Sequence, residues 1–150
     1  VKRIGEEEEI VGATLVQMSG DLNGLMLFLY DRNFANTVLE KLLDKKYNNF
    51  SEMDSMAFSA LAEVGNIVIS TYITAFSDLV HVDLSLSVPS STVNMLGGIL
   101  TVPMVEFGYE TDKLMYSNAE FVMDGKSLPS WLLMLPDISS LNTILEKLGV

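Results

Sequence analysis

The sequence predicts an α+β domain: a largely antiparallel sheet built from hairpins related by a pseudo-twofold, with long helices packed on it. Three observations predict this. Two pairs of strand-like runs are each punctuated by a glycine-bearing turn. One very long apolar segment reads as a helix. A strand–helix stretch early in the chain returns near its end. At 150 residues the chain fits one domain, 1–150, with a sizeable core, and 49% hydrophobic residues argue against disorder.

Ile10–Met18 and Gly24–Tyr30 form the first hairpin, turning at Gly20 to Gly24. A helix follows from about Asn33 to Lys45, with Val38, Leu39, Leu42 and Leu43 on one side. Ser51-Glu52-Met53-Asp54 resembles a capping box and opens the long helix, which runs to about Phe76. Strict alternation makes Val82 to Val88 a half-buried strand that Pro89 closes. Ser90–Phe107 is mixed and reads as a short helix to about Leu96, followed by breakers at Gly97, Gly98 and Pro103. Lys113–Met123 and Trp131–Leu135 make a second hairpin around Asp124-Gly125, and Asp137 caps a last helix ending at Gly149.

The segment "LFLYDRNFANTVLEKL" (27–42) aligns without a gap on "LMLPDISSLNTILEKL" (133–148). Asp31, Asn36, Thr37, Leu39, Glu40, Lys41 and Leu42 meet Asp137, Asn142, Thr143, Leu145, Glu146, Lys147 and Leu148. So many matches in register predict a duplicated unit, with 10–43 the tail of a first copy and 51–149 a complete second copy. The first copy's long helix and strand would then lie upstream of Val1, so the sequence reads as N-terminally shortened.

A net charge of −11 disfavours nucleic acid and anionic membrane surfaces as partners. The longest apolar stretches are broken by Glu, Asn, Ser or Asp before about 18 residues, which argues against a transmembrane helix. Cysteine is absent and no cleavable signal pattern is visible, both of which fit a cytoplasmic protein. Asn49-Phe50-Ser51 is a chance sequon on that reading. His81 lacks enough neighbouring ligands for a metal site, Glu6–Glu9 reads as a solvated run, and the nine Met residues read as core filler. Gly97-Gly98 lacks the following Lys-Ser/Thr of a phosphate loop.

The long helix holds the chemistry. Ser55, Ser59, Glu63, Asn66 and Ser70 fall in one narrow stripe, while Met56, Leu61, Val64, Ile67, Val68 and Ile69 read as core. A solvent-facing edge of a buried helix would give the same pattern. Two features weigh against it: between Lys46 and Lys113 the chain has no Lys or Arg, and mid-helix Ser and Asn cost propensity. Glu63 and Asn66, three residues apart, place side chains next to each other. The carboxylate suits a cation on an incoming partner, and the amide, donor and acceptor in one plane, suits a water molecule. Neither is a covalent nucleophile and neither alone neutralises a phosphoryl group, so the pair reads as incomplete, as if another protein completes it.

Ser59-x-x-x-Glu63-x-x-Asn66, then 22 residues, then Pro89, resembles the signature of the CheC/CheX/FliY family of chemotaxis phosphatases. The flanks agree: "SALAEVGNI" resembles the "ALxEhGNI" core of CheC, and "VPSSTVNML", "MLP" and the final "LGV" fall where CheC proteins have kin. The resemblance spans nearly the whole chain and implies a CheC-like fold, itself internally duplicated. It implies dephosphorylation of the aspartyl phosphate of the response regulator CheY. Asn66 would hold the attacking water and Glu63 would engage the receiver's lysine, with Ser59 and Pro89 as supporting motif positions. No cofactor of the chain's own is implied; Mg²⁺ would sit on the receiver. CheC usually carries two Glu–Asn helices, whereas one is present here. CheC also commonly partners the deamidase CheD, but the frequently acidic position after the proline is Asn94, which puts that partnership in question. A non-catalytic module that sequesters phosphorylated receiver or docks CheD, and a FliY-type flagellar switch component, are the other readings.

Overall fold

Alternation and its absence together build the sheet. The computed structural model describes residues 9–96, 98–99, 115–123 and 125–149. Six strands are described: β1 (Ile10–Gly20), β2 (Gly24–Tyr30), β3 (Leu84–Leu86), β4 (Ser90–Met95), β5 (Met115–Met123) and β6 (Lys126–Pro136). Among the described residues three helices have both ends defined: α1 (Arg32–Leu43), α2 (Ser55–Val80) and α3 (Ile138–Lys147). The strand order is β3-β1-β2-β6-β5, with β4 also on β1, and each pairing is antiparallel. The α+β class and the antiparallel sheet expected from the sequence are therefore present.

Central strands read as unbroken apolar runs because both their faces are covered. Met26, Phe28, Tyr30, Leu132 and Met134 join one buried cluster with Phe34, Val38 and Leu39 of α1 and Leu61, Ile69 and Ile73 of α2. Leu27, Leu29, Leu133 and Leu135 point the other way, into a second cluster with Val11, Ala13, Leu96 and Ile99. An aromatic group ties the helix layer to the sheet: Phe28 and Phe34 meet edge to face at 5.6 Å, and Tyr30 lies 5.4 Å from Phe34 and 6.4 Å from Phe50. Burial pushes the Tyr30 phenol above its ordinary pKa.

The ladder sets Leu27 opposite Leu133, which is also its match in the ungapped alignment. Asp31 and Asp137 accept the N–H groups of Phe34 and Ser140, each at 2.8 Å, so both helices start on the same cap.

Several boundaries differ from the sequence reading. The cap of α2 is Asp54, whose carboxylate accepts the Ala57 N–H at 2.9 Å; Ser51 belongs to a short 3₁₀ turn, Phe50–Glu52. Leu42 is exposed, one turn beyond buried Leu39, because α1 ends at Leu43 with Asp44 in the left-handed region at φ 55°. Residues Ser90–Met95 form a strand, not a helix. The first half of β1 needs an edge partner, and this stretch supplies it. Between β3 and β4 the ladder is carried by Ser87, whose hydroxyl accepts the Gln17 N–H (2.8 Å) while its own N–H donates to the Gln17 carbonyl (2.9 Å). Pro89, with no N–H to give, sits at that break. Glu6–Glu8, Gly97, 100–107, Lys113 and Asp124 lie outside the described residues.

By length and apolar content alone α2 qualifies to cross a membrane. In this fold it lies on the sheet, with Leu61, Gly65, Ile69 and Ile73 buried. Counting unbroken apolar runs missed that property because Glu63 and Asn66 interrupt the run without interrupting the helix.

Candidate functional site on helix α2

Gly65 decides how α2 sits. A Cβ built there would collide with the Thr14 side chain of β1, so the glycine lets helix and strand meet without an intervening side chain. Residues two before and one after it then project away from the sheet. Glu63 is exposed and Asn66 is half-buried, about 60° apart around the helix, and Ser59 is exposed one turn earlier. The structure therefore brings Ser59, Glu63 and Asn66 onto one open arc.

Strand β4 braces this region from the side. The Ser91 hydroxyl donates to the Phe58 carbonyl at 3.3 Å, one residue before Ser59. Pro89, half-buried, precedes this strand and stands outside the arc. It ends one edge strand and admits the next, while Ser91 makes the contact with α2.

Among the described residues no ion pair reaches the arc. The ion pairs among the described residues, Lys45–Asp54 at 4.0 Å and Lys46–Glu40 at 3.9 Å, lie before or at the cap of α2, and neither involves Glu63. A carboxylate without a local cation is available to one brought from outside. An amide beside it can accept from water through its oxygen and donate through its nitrogen. Among the described residues no group of three His, Cys, Asp or Glu could hold a metal ion. His81 is the left-handed C-cap of α2, at φ 57° with its N–H on the Ser77 carbonyl.

Met56 and Ile67, read as core from the sequence, are 58% and 59% exposed. On a helical wheel they lie about 20° and 40° from Glu63, a placement that angular position alone would have shown. The buried line is instead Ala57, Leu61, Gly65, Ile69, Ile73, Phe76 and Val80. A cleft of about 520 Å³ lined by Glu9, Ile10, Asp31, Arg32, Asn33, Asn49, Phe50 and Ser51 includes no residue of α2. That cleft is separate from the Glu63–Asn66 arc.

Known proteins resemble this chain in sequence and in fold. A model of the CheC-like family matches residues 56–93, which hold the Glu–Asn pair and reach past Pro89. CheY-P phosphatase CheC of Bacillus subtilis (strain 168) is 27% identical over 143 residues, covering 93% of this chain and 68% of the relative. Among solved structures, Thermotoga maritima FliY superposes with a TM-score of 0.70 at 16% identity, covering 95% of this chain and 72% of FliY. CheX from the CheX-CheY-BeF3-Mg²⁺ complex of Borrelia burgdorferi gives 0.56 at 15%, covering 90% and 80%. The chain is thus similar to the CheC-like family in sequence over residues 56–93, and to CheX and FliY in fold over most of its length.

Proposed function

We propose that this protein hydrolyses the aspartyl phosphate of a CheY-type receiver in the cytoplasm, with the chemistry shared between the two proteins. The observation that carries the reading is Glu63 and Asn66 side by side on an open arc of a braced helix, with no ion pair to Glu63 among the described residues. Support comes from the 27% identical relative, named a CheY-P phosphatase, and from a CheX neighbour solved with CheY.

In this reading the Asn66 carboxamide holds a water in line with phosphorus. The water oxygen bonds to phosphorus, the bond from phosphorus to the aspartyl oxygen breaks, and both protons of the water leave with inorganic phosphate. The aspartate is released as a carboxylate. Glu63 pairs with the receiver's lysine and fixes the register of the two proteins. Mg²⁺ and that lysine, both on the receiver, balance the charge on the transferring group, which is why the helix needs none. Ser59 and Pro89 support the surface without touching the phosphoryl group.

The test follows phosphate on a CheY-type receiver. Wild-type protein shortens its lifetime. Asn66→Ala removes that acceleration, a loss of about 10²–10³-fold, while still binding the receiver. A tight complex with unchanged phosphate lifetime for the wild type would favour sequestration. An Asn66→Ala variant as fast as wild type would remove Asn66 from the mechanism.

A further inference from the structure

The open arc of α2 is divided lengthwise. On one side of Glu63 lie Ser59, Asn66 and Ser70; on the other lie Met56, Ile67, Thr71 and Thr74. Met56 and Ile67 are more than half exposed, one before and one after Glu63, and about 16 Å apart along the axis. The threonines add to this side. The Thr71 hydroxyl donates to the Ile67 carbonyl at 2.8 Å and the Thr74 hydroxyl to the Ser70 carbonyl at 2.9 Å. Each hydroxyl thus spends its one donor within the helix. The outcome is an uncharged apolar strip, over three turns long, alongside the Glu–Asn pair.

We infer that this strip, Met56 and Ile67 above all, is the docking contact for the receiver and sets the affinity that the Glu–Asn pair does not. The inference rests on the phosphatase reading for the identity of the occupant. The strip runs directly beside the pair, so a protein that places a lysine against Glu63 must also cover it. The pair is polar and works on the phosphoryl group; the strip makes no contact with that chemistry and can add only binding. The receiver surface flanking its phosphorylated aspartate must therefore present apolar side chains to this side and its charged groups to the other.

Met56→Gln and Ile67→Gln keep side-chain bulk and helix propensity while removing the apolar contact. Each should raise the receiver concentration for half-maximal dephosphorylation about fivefold and leave the rate at saturation unchanged. Leu79, 71% exposed on the opposite arc of the same helix, is the control, and Leu79→Gln should change neither quantity. Unchanged half-saturation in both strip variants, or an equal loss in Leu79→Gln, would overturn the inference. A fall in saturated rate without a change in half-saturation would do the same. Binding to a BeF3-activated receiver separates this from the phosphatase reading. If wild type leaves phosphate lifetime unchanged, that reading fails. The strip then stands only if wild type binds the receiver and both variants bind about fivefold more weakly.

Discussion

A methyl group on Gly65 would fall on the side chain of Thr14, where α2 lies over β1. Two effects oppose each other there. Alanine is the better helix former by about 1 kcal/mol. Overpacking against a buried strand costs about 1–3 kcal/mol. Thr14 is fully buried, and its hydroxyl has no partner among the described residues. The collision should win, so Gly65→Ala lowers stability by about 1–2 kcal/mol in denaturant unfolding and tilts Glu63 and Asn66 away from their present arc, slowing dephosphorylation. Thr14→Ala removes an unpaired hydroxyl and opens the required space, so the double variant should regain most of the loss. A Gly65→Ala protein as stable as wild type would mean that propensity, not the contact, governs the site. Glu63, Asn66 and Ser59 were legible in the sequence because their polarity stands out in an apolar run. Met56 and Ile67 were not, because residue type says core wherever angular position is not weighed.

Helix α2 begins on an anionic cap. The Ala57 N–H, and after it Lys45, hold the Asp54 carboxyl below the ordinary aspartate range. A pKa depressed in the folded state favours folding above the unfolded value, and that advantage disappears as pH falls through the folded value. Stability should therefore decline below about pH 4, the ordinary aspartate range. Asp54→Asn, which still offers a side-chain oxygen, should remove part of that slope while changing stability little near neutrality. Thermal melts from pH 7 to 2 measure it, and an identical acid slope in the variant would contradict the assignment. The existence of this helix was plain from its long apolar stretch. Its start was misread because Ser51 satisfies the capping pattern by type, while the turn of Phe50–Glu52 leaves Asp54 to reach the amide. Ser90–Met95 was misread as helix for a related reason. Nothing local reveals that β1 outruns β3 and needs a second edge partner.

At the scale of the whole molecule, the sheet braces one helix so that Glu63 and Asn66 lie on an open arc, with no ion pair to Glu63 among the described residues. The hairpins and the largely antiparallel character of the sheet were legible in turn residues and strand-like runs. We propose that the matched segments 27–42 and 133–148 descend from one unit, a reading supported by the shared Asp caps and by the Leu27–Leu133 pairing at the centre of the sheet. That the site is incomplete was already legible in the missing Lys and Arg around α2; that its positive charge is brought by a receiver is our proposal. A double-mutant cycle addresses this most directly. Phosphate decay is measured for wild-type protein and Glu63→Gln, each against a normal CheY-type receiver and one with its active-site lysine replaced by Met. Coupled losses, in which Glu63→Gln costs about tenfold on the normal receiver and almost nothing once the lysine is gone, are the predicted result. Full additivity of the two changes would contradict the borrowed charge on which this account stands.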